Sequence, residues 1–222
     1  MEAQHVTSEP IVQIVDDDEG IREALEELFF SVGLKAQSYA TAPEFLEKAD
    51  PVSPGCLLCD VRLPQLGGLE LQERLPAHGF LLPVVFMSGY ADIPMAVRGL
   101  KAGAKDFLLK PLRDQDVLDA TNVAIEFDRH SRSAAVESGQ VRLRFAMLTV
   151  REKQVASLIL SGRKNRQVAD ALSLSEITVK IHRSNAMHKL QAGNVQDLVR
   201  MDRLLGFAIS GTDQPQSEVH DT

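Results

Sequence analysis

The sequence predicts a doubly wound α/β domain followed by a smaller all-α domain built around a helix-turn-helix. Three observations predict it. Short β-rich runs alternate with helical patterns through the first half, as they do where helices cover both faces of a parallel sheet. Strand signals then stop, and only short helical segments follow. Charge divides at the same place. Counting Lys+Arg against Asp+Glu, residues 1–130 hold 11 and 22 (net −11) and residues 131–222 hold 13 and 9 (net +4), which sum to the −7 of the whole chain. Residues 141–210 alone hold 12 and 5, net +7. An acidic half and a basic half imply different partners.

The elements follow in order. IVQIV (11–15) is the first strand and LKAQSYA (34–40) the second. CLLC (56–59), PVVFMS (83–88) and KDFLLK (105–110) complete five, the inner ones nearly continuous in apolar residues, as strands buried on both faces are. Helices are expected at about 18–32, 43–49, 67–76, 92–102 and 114–129, several closed by Gly33, Gly79 or Gly103. Residues 130–147 read as a linker able to continue the fifth helix. In 148–210, Thr149 three residues before Glu152 is a capping box. A helix follows on Val155, Leu158 and Ile159, then a short one at 165–172, a turn at SLS (173–175) capped by Ser175, and a longer helix at 176–190. The tail, 211–222, is too polar to fold.

Composition excludes several classes. Hydrophobic residues make up 44% of the chain, enough for a real core. No apolar run is long enough to cross a bilayer or to act as a signal sequence, so a cytoplasmic protein without a membrane partner is expected. Cys56 and Cys59 have CxxC spacing, but on a strand they point to opposite faces and no second Cys or His pair lies near. Inert core thiols are expected.

The chemistry should gather at the carboxyl ends of the strands, where open α/β sheets bind ligands. Asp16 and Asp17 follow the first strand, Asp60 ends the third, Ser88 the fourth, and Lys110-Pro111 the fifth. Converging carboxylates repel one another and hold protons more tightly, so a positive partner is required. Mg²⁺ suits an all-oxygen donor set. Beside it Asp60 can attack phosphorus as a nucleophile, with Lys110 and Ser88 holding phosphoryl oxygens. Each group also has a plain reading: DDDE (16–19) as an acidic helix start, which is all that Asp18 is expected to be, Ser88-Gly89 as a turn, Lys110-Pro111 as a strand end. Together, at the strand ends of one sheet, they favour a site.

VDDD (15–18), CDVRLPQLGG (59–68), FMSGYAD (86–92) and AGAKDFLLKP (102–111) resemble the receiver domain of bacterial two-component response regulators, over residues 11–129. The resemblance implies a flavodoxin-like (βα)5 fold with strand order 2-1-3-4-5 and a domain spanning 1–129. It makes Asp60 the phosphoacceptor, Asp16, Asp17, Asp60 and the backbone carbonyl of Arg62 the Mg²⁺ ligands, and Ser88 and Lys110 the phosphoryl-oxygen partners. It also implies a cis Lys110-Pro111 bond and a switch in Ser88 and Phe107. Ser88 stands where threonine is commoner and Gly67 where serine is usual.

A helix-turn-helix lays its second helix in the major groove. On that helix Lys180, Ile181 and Ser184 share a face, with Arg183, His188 and Lys189 available to phosphates and GRKNR (162–166) adding cations. Charge alone allows an ordinary solvated bundle as readily. LTVRE, GRKNRQVA and SEITVKIHRSNAMHKL, however, resemble the LuxR-type DNA-binding module and set the whole chain beside the FixJ and NarL group. That likeness implies Lys180, Ile181 and Ser184 as base-readers and Arg163, Lys164, Asn165, Thr178, Arg183 and Lys189 as backbone contacts. The expected function is a phosphorylation-dependent transcription factor, not an enzyme. A sensor histidine kinase, double-stranded DNA and RNA polymerase are its expected partners, and phosphorylation yields a homodimer through a face carrying Ile93, Met95, Val97 and Arg98. The alternative is a Mg-dependent phosphohydrolase with an aspartyl nucleophile, although such enzymes carry a DxD motif at the first strand and here the lone aspartate is on the third.

Overall fold

The computed structural model describes residues 9–89, 93–206 and 209. The acidic half forms five strands, β1 (Ile11–Val15), β2 (Lys35–Tyr39), β3 (Gly55–Asp60), β4 (Val84–Ser88) and β5 (Asp106–Leu109). They pair in parallel in the order β2-β1-β3-β4-β5. Between and after them run α1 (Glu19–Ser31), α2 (Ala42–Lys48), α3 (Gly68–Arg74), α4 (Ile93–Lys101) and α5 (Asp114–Ala146). Parallel pairing makes every crossover a helix and sends every strand's carboxyl end to one edge.

Alternation on β3 divides the core. Cys56 and Leu58 face Val12 and Ile14 of β1, Leu25 and Phe29 of α1, and Val117 and Ala124 of α5. Leu57 and Cys59 face Phe45 of α2, Leu71 of α3 and Phe86 of β4. The two thiols thus point to opposite sides, free and buried, and burial pushes both well up from the ordinary thiol range. They are core residues.

Capping sets the helix starts. Asp18 accepts from the Ile21 amide to open α1, as the sequence suggests. Thr41 opens α2, where Pro43 occupies the first turn. The third helix is shorter than expected: it ends at Arg74, and Pro76 begins a separate 3-10 turn over Pro76–His78. Pro76 has no amide hydrogen with which to continue the α-helical ladder, although Leu75 before it keeps helical φ and ψ.

The fifth helix is longer than expected. Residues 130–147, read as a linker able to continue it, are helical to Ala146. No proline interrupts the stretch, and its single Gly139 costs only about 1 kcal/mol against alanine. The chain divides into two compact units after Arg132, so α5 supplies residues to both. At the end of the first unit, Arg132 Nε donates to the carboxylate of buried Asp128 at 2.7 Å, and its other nitrogens donate to the carbonyls of Val52 and Ser53. Asp128 also accepts from the Gly55 amide at 2.9 Å. Gly55 has φ +141°, and a Cβ there would lie 1.9 Å from the Ile11 carbonyl oxygen, so the start of β3 admits no side chain.

The second unit adds α6 (Val150–Leu160), α7 (Asn165–Leu172), α8 (Glu176–Leu190) and α9 (Val195–Leu204), and no strand occurs among its described residues. Its core gathers Val141 of α5, Leu158 of α6, Val168 of α7, Val179, Ala186 and Leu190 of α8, and Leu198 of α9. No described helix is long and apolar enough to cross a membrane. The polar tail, 211–222, lies outside the described residues.

Candidate functional site

The carboxyl edge of the sheet brings the expected acids together. Asp16 follows β1 and is fully buried, its amide donating to the Tyr39 carbonyl. Asp17, next in sequence, is exposed. Asp60 ends β3 and is 7% exposed. Carboxylate oxygens of Asp16, Asp17 and Asp60 lie within 4.8 Å of one another. Lys110, one residue beyond β5, supplies the positive charge. Its ammonium donates to Asp16 Oδ2 at 2.7 Å and also to Asp60 Oδ2.

Local backbone holds these groups in place. The Lys110-Pro111 bond is cis, and the Lys110 amide donates to the Ser88 carbonyl at 2.8 Å. Ser88 ends β4, buried, with Leu109 beside it in register. The Arg62 amide donates to Asp60 Oδ1 at 2.8 Å and the Asp18 amide to Asp16 Oδ1 at 3.0 Å, so each buried carboxylate has a backbone donor as well as the ammonium. Gly68 opens α3 against this loop. A Cβ there would stand 2.3 Å from the Asp60 carbonyl oxygen, which explains a glycine where a better helix former would otherwise serve.

The electrostatics follow from burial. Desolvation raises the Asp16 carboxyl above the usual aspartate range, and the bond to Lys110 only partly offsets it. Burial pulls the Lys110 ammonium down, but its bonds to Asp16 and Asp60 outweigh that and hold it above the ordinary lysine range. The donor set is all oxygen, carries more negative charge than one lysine cancels, and is open to solvent at Asp17. A hard divalent cation fits it. Phe107, on the edge strand β5, is partly buried in the layer holding Phe86, its partner in register on β4, which separates it from Asp60 on β3.

The basic unit presents a second candidate surface. Lys180, Ile181 and Ser184 are exposed on α8, opposite the buried Val179, Ala186 and Leu190. Ser175 caps α8, accepting from the Thr178 amide, and its hydroxyl meets that of Thr178 at 2.8 Å. Arg163 and Lys164 are exposed before α7, and the Lys164 amide donates to Gln167. Besides Thr178, three of the expected backbone contacts, Arg183, Asn165 and Lys189, are engaged within the unit. Arg183 donates to Asn165 Oδ1 at 3.1 Å, joining α8 to α7. Lys189 donates to the carboxylate of Glu152 at 2.7 Å, joining α8 to α6. Glu152 also accepts from the Thr149 amide, closing the capping box read from the sequence. Sequence reasoning saw Glu152 as a cap alone, because its lysine partner lies 37 residues away.

An acid pocket with a lysine at the carboxyl edge of a five-stranded parallel sheet, in a chain that also carries a helix-turn-helix unit, defines a receiver-type regulator that acts on DNA. Comparison with known proteins makes this particular. The family model of the response regulator receiver domain matches residues 12–122, and that of the luxR family of bacterial regulatory proteins matches residues 146–202. The chain belongs to the response regulators of the FixJ/NarL type. It is 43% identical to nodulation protein W of Bradyrhizobium diazoefficiens over 95% of this chain and 92% of that one. It is 36% identical to the transcriptional regulatory protein FixJ of Azorhizobium caulinodans over 89% and 93%. Among solved structures, the response regulator StyR matches with a TM-score of 0.76 at 40% identity, covering 88% of this chain and 98% of that one. Full-length FixJ from B. japonicum matches at 0.56 and 32% over 90% and 98%. The protein is a phosphorylation-dependent transcriptional regulator, its family is one of regulators, and the phosphohydrolase alternative is not favoured. A receiver implies a sensor kinase as partner, and a LuxR-type domain implies DNA.

Proposed function

We propose that Asp60 is the phosphoacceptor and that its phosphorylation by a sensor histidine kinase drives pairing of two chains on DNA. The observation that carries this is the partly buried ammonium of Lys110 held between Asp16 and Asp60. An Asp60 oxygen attacks phosphorus, the new P–O bond forms, and the bond to the kinase's histidine nitrogen breaks. Lys110 then releases the Asp60 carboxylate and takes a phosphoryl oxygen, and the Ser88 hydroxyl takes another. Asp16, Asp17, Asp60 and the Arg62 carbonyl would hold Mg²⁺, which when bound supplies positive charge to offset that of the phosphoryl group.

Movement of Ser88 toward the phosphoryl group opens room at β4 and β5, and Phe107 turns inward. The outer face repacks there and a second receiver docks. Of the residues expected on it, Met95 packs partly against the core and Val97 is 42% exposed; the side chain of Ile93 lies outside the described residues. Paired DNA-binding units meet two half-sites. Lys180, Ile181 and Ser184 read bases. Arg163, Lys164, Asn165 and Thr178 hold the backbone with Arg183 and Lys189, whose bonds to Asn165 and Glu152 aim them. A bacterial regulator that binds the chromosome acts in the cytoplasm, with RNA polymerase as its further partner. Acetyl phosphate with Mg²⁺ should add one phosphoryl group to the wild type and convert it to dimer, and neither should happen in Asp60→Asn. Intact mass and light scattering read both, and a phosphorylated, dimeric Asp60→Asn would refute the assignment.

A further inference from the structure

We propose that Ile177 is a fourth base-reading residue, one that selects thymine by packing on its C5 methyl group. This rests on the reading that α8 enters the major groove. At about 100° per residue along the helix, Ile177 projects roughly 60° from Lys180, 40° from Ile181 and 20° from Ser184, near the middle of the arc they span. It lies roughly 160° from Val179 and 180° from Ala186, which are buried. It is therefore the residue of the first turn that points most directly away from the core. The N-terminal residues of a recognition helix are those that meet base edges.

Its chemistry is not explained by the free protein. Ile177 is 71% exposed, and Ile181, four residues on, is 54% exposed, so two branched apolar side chains stand together on an otherwise polar surface. An exposed β-branched residue in the first turn gains nothing from packing and little from helix propensity. Isoleucine has no donor or acceptor and cannot read the hydrogen-bonding code of a base pair. The one apolar feature that the major groove displays is the thymine methyl group. A β-branched side chain suits that contact, because its χ1 is already restricted in a helix and it loses little freedom on docking. His188 shares the same arc but sits roughly 16 Å further along the helix axis, beyond the segment that reaches base edges.

The test begins with selection of duplexes from a random pool by the acetyl-phosphate-treated full chain, then replaces each thymine of the selected duplex in turn by uracil, which lacks only the methyl. One thymine should be found whose replacement weakens wild-type binding about four-fold, the worth of one buried methyl-sized group. In Ile177→Ala that position should become indifferent to the replacement, with the thermal midpoint and the salt dependence of binding unchanged. Ile177→Val should keep the sensitivity. Ile181→Ala should abolish sensitivity at a different position. If uracil replacement affects wild type and Ile177→Ala alike everywhere, or the selected sequence has no thymine within each half-site's recognition segment, the inference is wrong while DNA binding stands. If no duplex is retained by any variant, the reading of α8 fails and takes the inference with it.

Discussion

At the scale of single residues, the acid pocket is a balance of burial against charge. Asp16 is fully buried and its carboxyl is raised, so its ionised form is less favourable in the fold than in the unfolded chain. A raised acid lends stability below its unfolded value of about 3.8 and loses it as pH climbs through the folded value. At neutral pH, Asp16 is therefore a net cost in metal-free buffer. Asp16→Asn removes that cost and keeps one acceptor oxygen, for the Asp18 amide, while Lys110 retains Asp60 as its anionic partner. Its urea midpoint in EDTA should exceed the wild type's at pH 7, the two should converge as pH approaches 3.8, and adding Mg²⁺ should raise the midpoint of the wild type more than that of the variant. Lys110→Met should act oppositely. It strands Asp16 and Asp60 without their cation and should cost about 3 kcal/mol in EDTA, the scale for removing one partner of a buried pair. Equal midpoints for wild type and Lys110→Met would mean the ion pairs contribute no stability.

At the scale of elements, caps and pairs join helices that chain order separates. Glu152 closes the N-terminus of α6 and binds Lys189 near the end of α8, and its side chain is 5% exposed. Burial works to raise its carboxyl, but Lys189 and the Thr149 donors outweigh that and leave it below the usual glutamate range. A depressed acid contributes stability above its unfolded value of about 4.5 and loses it as pH falls through the folded value. Glu152→Gln retains the cap but not the charge. It should cost the DNA-binding unit about 2 kcal/mol at pH 7, as for a hydrogen bond to a charged group, with the difference fading below pH 4.5. Urea melts across that range would read it. A constant difference down to pH 3 would mean the loss is one of packing.

At the scale of the whole molecule, the two units carry opposite net charge and use it differently. The acidic half holds the partly buried Lys110 against three gathered carboxylates, and the basic half turns Arg163, Lys164 and Lys180 to solvent. Each cation that neutralises a DNA phosphate steepens the salt dependence by about one. Replacing both Arg163 and Lys164 by alanine should make the plot of log K against log salt shallower by about two per chain, with the preferred sequence unchanged. A changed sequence preference would move those residues from backbone contacts to readers.

The elements were legible because their causes are local. Alternating apolar runs, Thr149 before Glu152 and Ser175 before α8 each act within a few residues, and parallel strands deliver Asp16, Asp60, Ser88 and Lys110 to one edge whatever else the chain does. The receiver and LuxR-type motifs named the family for the same reason, being contiguous in sequence. Tertiary structure alone decided the partnerships that cross the chain: Lys189 with Glu152, Arg183 with Asn165, and the tie from Arg132 to Asp128, Val52 and Ser53. It also decided that α5 runs unbroken to Ala146 and that Ile177 stands at the centre of the exposed face of α8. Sequence patterns report what a residue's near neighbours favour, whereas these features depend on which distant side chains packing brings within a few ångströms and which it leaves facing water.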